Sequence, residues 1–246
     1  MTKKTLFIAD LHLSDDRSDI SDLFYHFLRT TAREAQALYI LGDLFEIWFG
    51  DDNHSALNQQ VAFEIKQLSD SGVPVYFIHG NRDFIVGKNF AAKAGMILLP
   101  EHHVIQLYGQ PVLIMHGDTL CTLDVAYQKF RIKSRKAWWQ KMMLSLPLFL
   151  RRTMAQRARQ KSELKNSGRS MTIMDVTQSE VERQMRNFGV NTLIHGHTHR
   201  PDQHYFTLDN QDAKRVVLGD WYTQGSVLEV SEQGFNLIFK PFDSAK

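Results

Sequence analysis

Five times along this 246-residue chain a short, mostly apolar run stops at a residue able to ligate a metal. Leu6-Phe7-Ile8 leads to Asp10-Leu11-His12, and Ala37–Leu41 leads to Gly42-Asp43. Val75–Ile78 leads to His79-Gly80-Asn81-Arg82-Asp83, Val112–Met115 to His116-Gly117-Asp118, and Thr192–Ile194 to His195-Gly196-His197-Thr198-His199. Runs of this length and character read as buried strands. In an open α/β sheet, ligands bind outside the carboxyl ends of the strands. One Asp-x-His carries little weight alone. Five such ends, four of them beside a glycine that suits a tight turn or a close backbone approach, call for a fold that gathers them.

The segments between the strands agree with that reading. Ile20–Ala35, with Ile20, Leu23, Phe24, Phe27 and Leu28 at helical spacing, and Leu57–Leu68, closed by Ser71-Gly72, predict two helices. Strand, helix, strand, helix, strand is the signature of a largely parallel sheet covered by helices, so the fold class is α/β. Asp175–Phe188 predicts another amphipathic helix. Met96–Leu99 and Val104–Leu107 are further strand-like pieces. His204–Leu208, Arg215–Leu218, Ser226–Val230 and Phe235–Phe239 read as strands of a second sheet.

One segment stands apart. Lys129 to Arg169 holds 13 Lys and Arg and one acidic residue, Glu163, while the rest of the chain carries 16 basic and 26 acidic residues. This basic stretch on an acidic body calls for an anionic partner or surface. It reads as two helices, Asp124–Lys141 and Leu148–Lys165, broken at Pro147, within an insertion at about 122–169 of a single domain spanning 1–246. Its Ala137–Leu150 portion is apolar, yet too short and too interrupted to cross a bilayer. Flanked by Lys133, Arg135, Lys136, Lys141, Arg151 and Arg152, that portion fits an interfacial or acyl-chain-covering element. Trp138, Trp139, Met142 and Met143 fit the core of the insertion equally well. The single cysteine, Cys121, excludes an internal disulfide and suits a reducing compartment. MTKKT runs straight into a strand with no long apolar signal region, which favours a cytoplasmic protein.

The strand-end side chains are two aspartates, one amide and four imidazoles: Asp10, His12, Asp43, Asn81, His116, His197 and His199. That is enough for two metal ions sharing a carboxylate, and the lack of thiolate argues against a structural zinc site. Mixed nitrogen and oxygen ligands suit manganese, iron or zinc. Two such ions lower the pKa of a water and offset charge developing on a phosphoryl oxygen. Arg82, beside Asn81, can clamp a phosphate. His79 and His195 sit one residue inside their blocks and are expected to pack behind the site, with Asp83 and Asp118 orienting neighbouring ligands.

In order and at strand ends, the five blocks resemble those of the calcineurin-like metallophosphoesterases. The resemblance implies an αββα two-sheet sandwich with a dinuclear centre. Asp10, His12, Asp43 and His199 would bind one metal, and Asp43, Asn81, His116 and His197 the other. Gly42-Asp43-Leu44-Phe45-Glu46-Ile47-Trp48, Gly50-Asp51-Asp52, the basic insertion and Ile173-Met174-Asp175-Val176 are similar to the branch of the family that hydrolyses UDP-2,3-diacylglucosamine in lipid A synthesis. That likeness spans nearly the whole chain. It implies attack at the α-phosphate, release of UMP and 2,3-diacylglucosamine 1-phosphate, and two Mn2+, with Mg2+, Fe or Zn left open. It implies catalytic roles for Asn81, Arg82 and His197, and substrate contacts from Asn81, Arg82, Asp124, Ser162, Asn166 and His197. Arg169 stands where that branch has a lysine, keeping the charge but not the geometry. The substrate implies a helical cap over the site and peripheral attachment of a monomer to the cytoplasmic face of the inner membrane.

The alternative is another dinuclear phosphodiesterase or a nuclease on the same fold, the insertion then meeting a nucleic acid backbone. The Trp-Met-Leu cluster argues against it, since grooves that track phosphates use isolated stacking aromatics, and no nucleic acid partner is expected. A scaffold that has lost its metals is disfavoured because all seven ligand positions hold competent residues.

Overall fold

Residues alternate in environment along the first strand, β1 (Lys4–Ile8): Leu6 and Ile8 pack under helices, while Phe7 faces a second sheet. That two-residue period sets the layers. The structure is a computed structural model and describes residues 4–166 and 175–241, with side chains at 4–159, 175–223 and 225–239.

The first sheet has six strands in the order β11 (Gly234–Pro241), β10 (Gln224–Ser231), β1, β2 (Ala35–Ile40), β3 (Val75–Phe77) and β4 (Met96–Leu98). The second has five, β5 (His102–Leu107), β6 (Gln110–Met115), β7 (Thr192–His195), β9 (Gln211–Val217) and β8 (Asp202–Leu208). The four C-terminal strands are therefore divided between the sheets rather than forming one. β10 pairs antiparallel with β1, Phe7 opposite Leu228 and Thr5 opposite Val230. The reason lies in its alternation, which sends Leu228 and Val230 between the sheets beside Phe7 and Val227 to the helix side.

Helices α1 (Ser18–Arg29), α2 (Ala56–Asp70) and α3 (Lys88–Ala94) cover the outer face of the first sheet. α1 buries Ile20, Phe24, Phe27 and Leu28, one stripe at helical spacing. α7 (Gln178–Phe188) covers the outer face of the second sheet, where Val181 and Met185 meet Leu113, Met115 and Leu193. Ile105, Val112, Ile114, Ile194, Val216 and Leu228 pack between the sheets. The architecture is thus an αββα sandwich.

The basic stretch forms three helices, α4 (Val125–Ser134), α5 (Ala137–Ser145) and α6 (Leu148–Asn166). The expected first helix is split at Arg135 and Lys136, and Lys136 has extended backbone. Arg135 turns inward there: its guanidinium donates to the Gly80 carbonyl at 2.9 Å and stacks over Phe84 at 4.6 Å. These tertiary contacts override the helical preference of the sequence.

Candidate active site

Register brings the polar strand ends together. Ile8 lies beside Ile40 and Ile40 beside Phe77, so the segments after β1, β2 and β3 leave the first sheet side by side. The backbone bonding continues past the strands, with Asp10 N donating to Gly42 O at 3.1 Å and His12 N to Asp43 O at 3.0 Å. In the second sheet Ile114 lies beside Ile194, and Gly196 N donates to His116 O at 2.8 Å. Trp221 N reaches across to Asp10 O at 3.1 Å and ties the two rims together.

The turns that aim these side chains are strained. Asp10, His12, Asp43, His197 and His199 all have left-handed backbone, with φ from 52° to 71°. Non-glycine residues rarely adopt that region, and it persists only where surrounding structure over-determines it. Gly80 and Gly196 make room: a Cβ at 80 would strike the Asp43 carboxylate and backbone nitrogen, and one at 196 would strike Asp10.

The ligating atoms of Asp10, His12 and His199 lie within 4.8 Å of one another, and so do those of Asp10, Asp43 and His116. A carboxylate shared by two ions has to reach both groups. Asp43 Oδ2 lies 3.9 Å from His12 Nε2 and 3.8 Å from His116 Nε2. Asn81 Oδ1 lies 2.9 Å from His116 Nε2, and the His197 ring sits 5.0 Å from the His116 ring. Three of the four imidazoles have an oxygen behind them. The Leu41 carbonyl is 2.8 Å from His116 Nδ1, Glu46 Oε2 is 3.1 Å from His12 Nδ1, and Asp220 Oδ2 is 3.4 Å from His199 Nδ1. Partners on Nδ1 turn Nε2 toward the site, and His12 and His199 bring their Nε2 atoms to 3.3 Å.

These residues fit metal ions. Asp10 Oδ1 is fully buried without a hydrogen-bond partner, an oxygen lone pair aimed into a cluster of imidazole nitrogens. Burial works against the Asp10 charge, yet His199, His116 and His12 hold its carboxyl well below the usual range. Burial likewise opposes a charged His199, but Asp10 and Asp220 raise its pKa to about 9. The site draws in positive charge.

Asp83 takes the turn after β2 in hand, accepting from Leu44 N at 2.7 Å and Gly80 N at 2.9 Å. Burial, then Asp43, pushes its carboxyl up to about 6. His79 packs against Phe77 and lies 2.7 Å from the Val86 carbonyl. His195 is buried between the Gly196 carbonyl and Arg215. Asp118 does something else than orient a ligand: buried, it accepts from Tyr127 Oη and from Arg131 Nε at 2.7 Å, and so grips α4. The Arg82 backbone nitrogen donates to Asp43 Oδ1 at 2.8 Å. Asp124 caps α4, accepting from Tyr127 N at 3.1 Å. Arg169 and the side chains of Ser162 and Asn166 lie outside the described residues.

Sequence reasoning missed Glu46, Asp220 and Tyr222. The Tyr222 ring stacks on His12 at 5.0 Å, and its hydroxyl donates to Glu46 Oε2 at 3.2 Å. The signal was present: Gly219-Asp220 follows an apolar strand just as Gly42-Asp43 does.

Carboxylates, imidazoles and an amide converging at the shared rim of two sheets define a metallohydrolase with a candidate dinuclear site. The calcineurin-like phosphoesterase model matches residues 3–201, and the chain belongs to that family. A UDP-2,3-diacylglucosamine hydrolase from Enterobacter sp. strain 638 is 54% identical over 238 residues, 97% of this chain and 99% of that protein. One from Escherichia coli is 55% identical over the same shares. Among solved structures, an archaeal phosphodiesterase superposes with a TM-score of 0.48 at 13% identity, over 96% of this chain and 99% of that one.

Proposed function

We propose that this chain hydrolyses UDP-2,3-diacylglucosamine at the α-phosphate, giving UMP and 2,3-diacylglucosamine 1-phosphate, a step of lipid A biosynthesis. The observation that carries this is identity of 54–55% over 97% of the chain with hydrolases named for that substrate, a span that takes in the insertion as well as the metal rim.

Asp10, His12, Asp43 and His199 would hold one ion, and Asp43, Asn81, His116 and His197 the other, with Mn2+ the proposed metal. Bound there, the ions supply Lewis acidity toward the phosphate and an activated water. The chain does the rest. Asn81 and Arg82 follow one tight turn, so both reach the same phosphate, the guanidinium as a fork. Burial and then His116 push His197 down to about 4, keeping its ring neutral and its lone pair free at neutral pH. Tyr127, stacked 6.4 Å from the His197 ring, and Arg135, on the Gly80 carbonyl, bring the cap to the rim.

Ten of the fifteen large apolar side chains left exposed among the described residues lie between Leu123 and Met154. They include Trp138 at 55% and Leu144 at 41%, which supports acyl-chain contact for this face and, with its lysines and arginines, peripheral association of a monomer with an anionic membrane surface. Trp139 is partly packed, near Phe84 and Phe130. No helix among the described residues is long and apolar enough to cross a membrane. Asp124, Ser162, Asn166 and Arg169 complete the proposed substrate contacts.

The test is hydrolysis of UDP-2,3-diacylglucosamine in detergent, with and without Mn2+, beside UDP-N-acetylglucosamine. Metal-dependent UMP release from the lipid alone is expected. Equal cleavage of both would leave a generic nucleotide-sugar pyrophosphatase.

A further inference from the structure

Glu46 is a buried carboxylate at the rim whose two oxygens meet both the body and the cap. It follows Asp43 by three residues and is 5% exposed. Its two oxygens face different groups. Oε2 lies 3.1 Å from His12 Nδ1 and accepts from the Tyr222 hydroxyl at 3.2 Å. Oε1 lies 3.7 Å from a guanidinium nitrogen of Arg82 and 3.5 Å from one of Arg159 on α6. Arg82 comes from the metal rim and Arg159 from the cap, 77 residues apart in sequence.

We propose that Glu46 is a positioning residue that links the His12 side of the metal site to the two arginines, one per region, that meet the substrate's phosphates. This rests on the function proposed above. The physical case has three parts. A carboxylate behind a ligating imidazole biases its tautomer and ring orientation, and Glu46 Oε2 stands there for His12, 3.1 Å from Nδ1 as a charge contact outside hydrogen-bond alignment. Two guanidinium groups drawn to one oxygen would repel each other without the negative charge between them. The charge on Glu46 also keeps a cation from each region at one point of the rim, where an anionic pyrophosphate is attracted. Both arginine contacts are longer than a hydrogen bond. They hold the arginines by charge. Glu46 itself is not a reacting group: its lone pairs are directed at His12, Tyr222 and the arginines.

The experiment uses the full chain carrying Glu46→Ala, Glu46→Gln, Arg159→Ala and the Glu46→Gln/Arg159→Ala pair. Mn2+ binding is titrated by calorimetry, and kcat and KM are measured on UDP-2,3-diacylglucosamine and on bis(p-nitrophenyl) phosphate. Glu46→Ala is expected to weaken one of the two Mn2+ ions by about 10-fold or more. Glu46→Gln keeps a polar group behind His12 and should hold Mn2+ affinity within about threefold, while raising KM for the lipid substrate about 10-fold. Arg159→Ala should raise that KM too, and by less when Glu46 is already Gln, because the two act as a unit. Unchanged Mn2+ affinity in Glu46→Ala overturns the proposal, as does no effect of Arg159→Ala or independent, multiplicative effects of Glu46→Gln and Arg159→Ala on KM. Should Glu46→Ala not fold, Tyr222→Phe, which deletes one partner of Oε2, replaces it in the Mn2+ titration: weakened binding supports the link and unchanged binding overturns it. A wild-type protein that binds Mn2+ and cleaves bis(p-nitrophenyl) phosphate but not the lipid refutes the proposed substrate, while the Mn2+ titration still judges Glu46.

Discussion

The two-sheet body and the helical cap both carry many apolar side chains, but they place them on opposite sides of the solvent boundary. In the body, Phe7, Ile114, Ile194 and Val216 are wholly buried between the sheets. Each such side chain contributes roughly 1.5–3 kcal/mol by leaving water. Among the described residues of α4, α5 and α6, only Ser134 and Arg151 are buried, and neither is apolar. Much of what joins the described part of the cap to the body is charge. Arg131 meets Asp118 at 2.7 Å and Glu101 at 2.8 Å, Arg151 pairs with Asp52, and Arg152 donates to Asn53 Oδ1 at 2.6 Å. A body held by burial can keep strained ligand turns in place. A cap held by ion pairs can leave its apolar face free for a ligand.

Four experiments probe that contrast, in falling order of effect. Asp43→Ala removes the carboxylate that lies between His12 and His116 and should lower kcat by about 1000-fold or more, with a native circular dichroism spectrum. Near-normal turnover would break the dinuclear model. Asp118→Asn strips the buried anchor from Tyr127 and Arg131 at a cost of about 3 kcal/mol. Hydrogen exchange across Val125–Ser134 should speed up roughly 100-fold, while exchange in β1 and β7 stays put. Trp138→Ser with Leu144→Ser should raise KM for the diacylated substrate about 10-fold, leave a deacylated analogue unaffected, and barely move the melting temperature. Ile194→Ala, a smaller deletion but in the body, should instead cost about 2–5 kcal/mol of stability. Equal losses of stability at the two places would erase the distinction between them. Glu101→Gln removes a half-exposed partner of the same Arg131 and should change exchange in α4 by about fivefold or less, the worth of a surface ion pair.

Much of the site was legible because its signal is local. An apolar run that stops at Asp10-x-His12 or Gly42-Asp43 carries both the strand and the ligand in a few residues. Asp220, after Gly219 at the end of an apolar run, belongs to the same class. Glu46 could not be read this way. Its importance comes from His12, Arg82, Arg159 and Tyr222, whose positions extend from 12 to 222 in the chain. Asp118 gave a similar lesson: adjacent to His116, it was expected to serve a ligand, yet its carboxylate faces the cap.

The amino-acid sequence by itself determined the α/β class, the seven ligand candidates and the charge of the insertion, because periodicity and residue chemistry act over short range. Tertiary structure alone decided that β10 and β11 join the first sheet, that the basic stretch breaks at Arg135, and that the described part of the cap is joined to the body largely by ion pairs and buries no apolar side chain. Those outcomes depend on which distant groups meet. An ion pair such as Arg151 with Asp52 joins partners 99 residues apart, and no local pattern in either segment records that meeting.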